Sequence, residues 1–448
     1  MNKRIIYYIS IFLFIAAIVF IIVRYNSKQK EKENTVYTLL NRKGSLAQAS
    51  DWTTTKNLSN TYISSLQKNP NDIKASLGLA ALYIQEARVT GNYMYYDAAA
   101  MKYVNNVLKT DSANFDALIY KSLIYLSQHH FADGLSTAQK AQQINPYNAF
   151  VYGILIDGNV EMGYYDSAVA SSDKMVSIRP DLRSYSRISY LREIYGDYPG
   201  AISAMKMAVE AGAAGEESTE WARVQLGLLF EKTGDLKNAE ICYEVALQVR
   251  PDYAYALAGL ARIAASAKDY NKALNYYLKA DSLVSDYSFK EEMVDLYNLT
   301  GEKQKADATA KEVIENLNSA ASKGNSDENI GHYADRELAY AFLKINDNDK
   351  AFEHAMLEYN RRPDNIDVNE TLAWVYYKKA DYTNALKYIT VALKTKCKNP
   401  TLLSRAGLIY NKAGDKSMAK SLLQQAAANN PNINIELKEE SSKTFNSL

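Results

Sequence analysis

The groups of this 448-residue chain that could do chemistry are two thiols, four imidazoles and 51 carboxylates, and their spacing argues against any. Cys242 and Cys397 lie far apart, and His129, His130, His332 and His354 show no ligand spacing with cysteine or with one another beyond one adjacent pair. A metal centre needs three or four such donors converging, so no metal is expected. A nucleophile with its base, or a loop that cradles phosphate, leaves a local signature. The patterns GxSxG, HExxH, CxxC and GxxxxGK followed by Ser or Thr do not occur. The Gly-Asp pairs beginning at Gly196, Gly234 and Gly414 read as turns in which glycine supplies φ > 0. No catalytic residue, cofactor or small-molecule substrate is expected, and the chain is taken not to be an enzyme.

Charge excludes a further class. Lys plus Arg number 52 against 51 Asp plus Glu, scattered along the chain, so no basic stripe exists to neutralise a phosphate backbone and nucleic acid is not an expected partner. Only 8 prolines and 19 glycines interrupt a chain rich in Ala, Leu, Lys and Tyr. That composition suits helices, and the expected class is all-α.

Residues 5–23 are uncharged. At about 1.5 Å per residue they span about 28 Å, the depth of a bilayer's hydrocarbon core. Tyr7, Tyr8 and Tyr25 sit near the ends and Lys3 and Arg4 precede the run, as an interface favours. A cleaved leader has a shorter core and a small-x-small site; here Arg24 follows directly, and a transmembrane anchor is the expectation. Arg24, Lys28, Lys30, Lys32, Arg42 and Lys43 outnumber the two leading cations, which argues for a cytoplasmic remainder. A short basic N-terminus before a first hydrophobic segment argues for export, and the extracytoplasmic arrangement is the one expected.

Beyond the anchor the chain repeats. In residues 220–253, Leu226, Gly227, Phe230, Ala239, Tyr243 and Ala246 recur in the next unit as Leu260, Ala261, Ala264, Ala273, Tyr277 and Ala280 at an offset of 34 residues, with Gly234 and Pro251 marking turns in the first unit and Tyr270 a further large residue in the second. Small residues fall where two antiparallel helices would cross closely, and aromatic ones fill the space beside them. Units start near residues 73, 115, 149, 182, 220, 254, 287, 332, 366 and 400. Their second-helix small slots are Ala99, Gly134, Ala168, Ala201, Ala239, Ala273, Ala306, Ala351, Ala385 and Ala419, with Gly407 a first-helix slot in the last unit. Pro70, Pro146, Pro180, Pro251, Pro363, Pro400 and Pro431 punctuate the entries to following helices, where a missing N–H costs little.

This pattern resembles the tetratricopeptide repeat family, of the membrane-anchored bacterial type. The resemblance implies a right-handed superhelical solenoid of about ten helix pairs over residues 73–431. Residues 1–4 form a basic N-terminus, 24–49 a polar juxtamembrane stalk, 50–72 a capping helix or degenerate repeat, and 432–448 a frayed tail. Inserted residues are expected at 86–95, 211–218 and 315–331. Stacked repeats contact their neighbours alone, so Cys242 and Cys397, more than four repeats apart, should not pair.

The resemblance implies that partners are other proteins or peptides, bound on the concave face lined by first-helix residues. Aromatics expected there are Phe150, Tyr190, Trp221, Tyr255, Tyr333, Tyr340, Trp374 and Tyr377, with Tyr333, Tyr340, Trp374 and Tyr377 the densest group; few rotatable bonds make such rings good anchors. The same residues could equally be packing, given 36 tyrosines in the chain. Arg179, Arg183, Arg187 and Arg192 form a basic group. Arg183 and Arg187 are loosely similar to the cationic part of the carboxylate clamp of some family members, but Ile119, Leu123 and Ile154 stand where its asparagines would be. Two roles are carried forward: a membrane-bound scaffold holding peptides or partners in the groove, and an accessory or chaperone-like subunit of a membrane enzyme or a secretion or envelope-assembly complex, binding a folded partner.

Overall fold

The computed structural model describes residues 3–34, 36–326 and 331–448. Among them are twenty-three α-helices, one short 3-10 turn and no strand. The chain divides into two compact units, Met1–Leu40 and Asn41–Leu448. The first holds one helix, Lys3–Asn34. Its segment Tyr7–Ser27 has a mean hydropathy of 2.4 and is long and apolar enough to cross a membrane; a leader peptide passes the same test.

The second unit contains ten antiparallel helix pairs. The first five are Ile73–Thr90 with Tyr93–Thr110, Phe115–Ser127 with Phe131–Ile144, Ala149–Met162 with Tyr165–Ile178, Leu182–Ile194 with Tyr198–Glu210, and Glu217–Lys232 with Leu236–Val249. The second five are Ala254–Ser266 with Tyr270–Leu283, Tyr287–Leu299 with Lys303–Ser326, Asp335–Lys344 with Asn348–Arg361, Ile366–Lys378 with Tyr382–Ala392, and Pro400–Lys412 with Lys416–Ala427. A lone helix, Ser50–Lys68, precedes the array and another, Ile435–Ser447, follows it. The inserted residues lengthen the helices of the first pair, form the 211–216 connection, and extend the second helix of the seventh pair to 24 residues; residues 327–330 of the polar stretch lie outside the described residues.

Local chemistry sets the helix boundaries. In the Gly-Asp turns, and in the matching Ala380-Asp381 turn, the aspartate caps the second helix: Asp235 accepts from Asn238 N, Asp381 from Asn384 N and Asp415 from Met418 N, each such cap contributing about 1 kcal/mol. Asn114, Asn148, Asn365 and Asn399 do the same for first helices. Packing follows the small slots. Ala99, Ala168, Ala201, Ala239, Ala246, Ala273, Ala385 and Ala419 have no exposed surface, and Tyr243 and Tyr277 are fully buried beside them. A Cβ on Gly227 would lie 2.5 Å from the Tyr243 ring and one on Gly407 2.6 Å from Leu423, so both glycines make room for the neighbouring helix.

Three expectations need correction. Repeats do not contact their neighbours alone: turns inside the first five pairs meet chain about 200 residues later. Asn365 Nδ2 donates to the Val160 and Glu161 carbonyls at 3.1 and 3.0 Å, 205 and 204 residues away. Ile366 N donates to the Tyr165 hydroxyl, Tyr333 N to Gln128 O, Asn432 N to Glu231 O, and the Cys397 thiol lies 3.6 Å from Glu193 O. The superhelix therefore coils tightly enough for its second turn to sit on its first, each polar turn finding backbone or side-chain partners that water would otherwise supply. Cys242 and Cys397 are nonetheless free and buried; burial pushes their thiols up to about 11 and about 12.

The tail is not frayed. Asn434 caps the last helix, and Leu437 packs on Trp374 and Leu408, an apolar contact that no local periodicity announced. Nor are residues 41–49 free stalk. Arg42 is buried between Glu86 and Asp51 and over the Trp52 ring, and the Ser45 hydroxyl donates to Pro251 O at 2.7 Å.

Candidate functional site

The first helices of the first five pairs, the lone helix Ser50–Lys68 and the turn at residues 45–49 enclose a cavity of about 1760 Å³ on the inner face. Phe150, Tyr190, Trp221, Arg183 and Arg187 all line it. They lie beside their helix's buried stripe: Ala222 and Leu226 go to the core, while Trp221 and Gln225, one residue before each, line the cavity. Its charges are mostly neutralised in place. Arg187 holds Asp157 through Nε and Nη2, at 2.9 and 2.6 Å. Lys232 pairs with Glu193, and Arg88 with Glu217. Arg183 lies 4.7 Å over the Phe150 ring and has no ion-pair partner among the described residues. Burial lowers its pKa, Asp181 opposing, and burial raises that of the Tyr190 phenol. The two central members of the basic group form part of the cavity wall, Arg187 paired with Asp157 and Arg183 without an ion pair among the described residues.

Of the densest aromatic group predicted for the groove, Tyr340, Trp374 and Tyr377 cluster together and Tyr333 stands apart. Tyr333 belongs to the contact between superhelical turns, where it stacks 4.0 Å from His130 and lies under Arg361. Trp374 and Tyr377 stack at 4.7 Å with rings 8° from parallel, but Trp374 is only 7% exposed. The last helix lies against them: Leu437 packs on Trp374, and the Tyr377 hydroxyl donates to Glu440 at 2.8 Å. Tyr340 is held by Thr371 and Arg405 at 3.1 and 2.8 Å. Tyr255 packs edgewise on Tyr253 and against Phe289 in the core. Of the eight aromatics expected on the concave face, Phe150, Tyr190 and Trp221 line the cavity and the other five do not. Gly227, Ala239, Ala246, Ala273, Ala385, Gly407 and Ala419 all serve packing.

What the periodicity missed is polar. Arg362 donates to Glu358 and, across the superhelical turns, to the Glu161 side chain and carbonyl. Burial raises the Glu161 pKa, with Arg362 opposing. Arg262 and Asn432 both hold Glu231, from the next pair and from the next superhelical turn. These residues, at turns and near helix ends, carry no periodic signal. The glycines that let the turns approach were visible, but only as turn formers.

Ten stacked helix pairs of one register, with a common small slot and an Asp- or Asn-capped turn, define an α-solenoid of the two-helix repeat class. The sequence profile described as "Tetratricopeptide repeat" matches residues 222–253, the fifth pair and the turn after it. The chain thus carries a tetratricopeptide repeat at residues 222–253, within helix pairs of the same register. It is similar to the Superkiller protein 3 of Saccharomyces cerevisiae, 29% identical over 89 residues, a stretch covering 19% of this chain and 6% of that protein. It thus matches only a small part of that relative's length. Among solved structures, the APC/C hetero-tetramer Cut9-Hcn1 aligns at 15% identity with a TM-score of 0.39, covering 88% of this chain and 74% of that one. The yeast Tom70 structure aligns at 12% identity with a TM-score of 0.36, covering 88% and 95%. A repeat fold of this kind serves as a protein-interaction scaffold.

Proposed function

We propose that this chain is a membrane-anchored scaffold that takes an extended segment of a partner protein into the cavity of its first superhelical turn. The observation that carries the reading is the contrast in occupancy: the cavity wall with Phe150, Tyr190, Trp221 and the unpaired Arg183 is open, whereas the Trp374–Tyr377 face is covered by the protein's own last helix. Few-rotamer rings and an unneutralised guanidinium are the kinds of group that hold a peptide's apolar side chains and its carbonyl or carboxylate oxygens. The segment Tyr7–Ser27 serves as the anchor.

The test is chemical cross-linking in the native membrane, followed by mapping of the linked residues. Links from cavity-facing positions such as Gln225 to contiguous segments of a partner support the reading, and Trp221→Ala should reduce them. Links confined to the outer second helices, to one folded partner in fixed ratio, would replace it with the accessory-subunit role. A reporter active only outside the cytoplasm, fused after Leu448, tests the extracytoplasmic placement: silence sinks it.

A further inference from the structure

The seventh residue of each unit is a packing slot. Leu79, Leu155, Leu226, Leu260, Leu338 and Leu372 hold it in six units, and Ile188, Met293 and Ala406 in three more. All but Ile188 are buried. In the second unit the slot holds Lys121. An ammonium there forgoes the burial of a whole apolar side chain, and a lysine drawn into such a place ordinarily brings a carboxylate partner with it.

Lys121 has none. Its Nζ donates to the neutral side-chain oxygen of Asn105 at 3.2 Å and lies 5.7 Å from the Tyr125 ring. Burial lowers its pKa, the Lys140 charge adds to that, and Asp133 opposes. Neither lysine is ion-paired among the described residues. Asp133, mostly exposed, lies 3.6 Å from His130 Nδ1 instead.

Both lysines line a surface cavity of about 260 Å³ between the second helix of the first pair and the two helices of the second pair. It is separate from the cavity of the inner face. On the helix Phe115–Ser127, Ile119, Tyr120 and Leu123 line the inner cavity, whereas Leu118, Lys121 and Tyr125, at i, i+3 and i+7, line this one. Ser112, Ser136 and Thr137 line it too, and among the described residues none of their hydroxyls has a hydrogen-bond partner in the protein. Lys140 is exposed and Lys121 half-buried, so a solute reaches both from outside.

We propose that this outer groove holds a phosphate group, received by the Lys121 and Lys140 ammonium groups with the three hydroxyls as further donors. A planar carboxylate offers two oxygens and is matched by an arginine fork; a tetrahedral anion offers three or four, and point-charge ammoniums with hydroxyls on several helices suit it better. The group comes from free phosphate or from a small phosphate ester, whose organic part would meet the apolar wall of Leu108 and Leu118.

Equilibrium dialysis of the full chain in detergent, at constant ionic strength, tests this with inorganic phosphate and with glycerol 3-phosphate. Acetate serves as the planar competitor. The parent should bind at least one probe at a single site, the tighter one identifying the source, and acetate should not displace it. Lys121→Leu restores the residue that other units carry and should fold as the parent does, while Lys140→Gln changes an exposed side chain. Each should weaken binding about tenfold or more. No binding of either probe by the parent, displacement by acetate at equal concentration, or unchanged binding in either variant overturns the proposal.

Discussion

The two superhelical turns are built from one repeat, yet the same position in it does different physical work in each. In the first turn, Gly163 has φ +82° and a Cβ there would run into the backbone of Asp364, while one on Gly196 would lie 2.7 Å from the Lys396 carbonyl. In the second turn, Gly414 has φ +96° with nothing within 4 Å, and the matching positions elsewhere accept Lys268, Asn346 and Ala380 at φ near +60°. The glycine of the first turn serves backbone conformation and close approach together; that of the second serves conformation alone. The inner faces differ as well: open in the first turn, covered by the last helix in the second. Repeat physics fixes the pair, and whatever lies about 200 residues away fixes what the pair can be used for.

The sharpest way to break this comparison is to add one methyl group to each turn. Gly163→Ala combines a left-handed alanine with a backbone collision and should cost roughly 2–5 kcal/mol, whereas Gly414→Ala should cost only about 1–2 kcal/mol. Denaturant midpoints of the two variants check this, and equal losses would mean that the turns do not touch. Ala239→Leu, which wedges one helix pair apart, should cost roughly 1–3 kcal/mol wherever the pair sits. A parent-like midpoint for that variant would contradict the register.

A smaller effect should come from pH. Three of the four histidines meet where the first turn carries the second. His129 Nδ1 lies 2.9 Å from Tyr333 O, His130 Nε2 lies 3.0 Å from Gly331 O, and the His129 and His332 rings are 4.3 Å apart. Glu337, Asp133 and Arg361 are the charged groups around them. Burial lowers the His332 pKa to about 4, with His129 adding to it, and burial lowers that of His130. Both rings stay neutral in the joined state and regain an ordinary pKa near 6.5 once freed. The contact is therefore at full strength above about pH 6.5 and weakens as pH falls through that value towards 4, by roughly 1–2 kcal/mol at pH 5. Solution scattering should show the superhelix loosening between pH 7 and pH 5, and His332→Phe should flatten the response. Identical profiles at both pH values would leave the histidines without that role.

Most of the first level of structure is legible in the sequence. Ala239, Ala273 and Ala385 report a helix crossing because an 8–10 Å interaxial distance excludes larger side chains at every repeat. Asp235 and Asp415 report a cap because only a short oxygen-bearing side chain reaches the free amides of the first turn. The aromatics were ambiguous for a physical reason: a tyrosine in a packing slot and one on a groove obey the same period. Only long-range contacts distinguish Trp221, facing the cavity, from Trp374, beneath Leu437. Glu161, Arg362 and Asn365 left no signal, because coiling of the superhelix, and not the repeat, brings them together.

The central claim is that the first turn works and the second is closed, and photo-cross-linking from two single positions in the same membranes tests it most directly. A photoreactive residue replacing Trp221 should capture a partner segment, while one replacing Trp374 should link only to the protein's own last helix. Capture of the partner from position 374, with none from 221, would contradict the account.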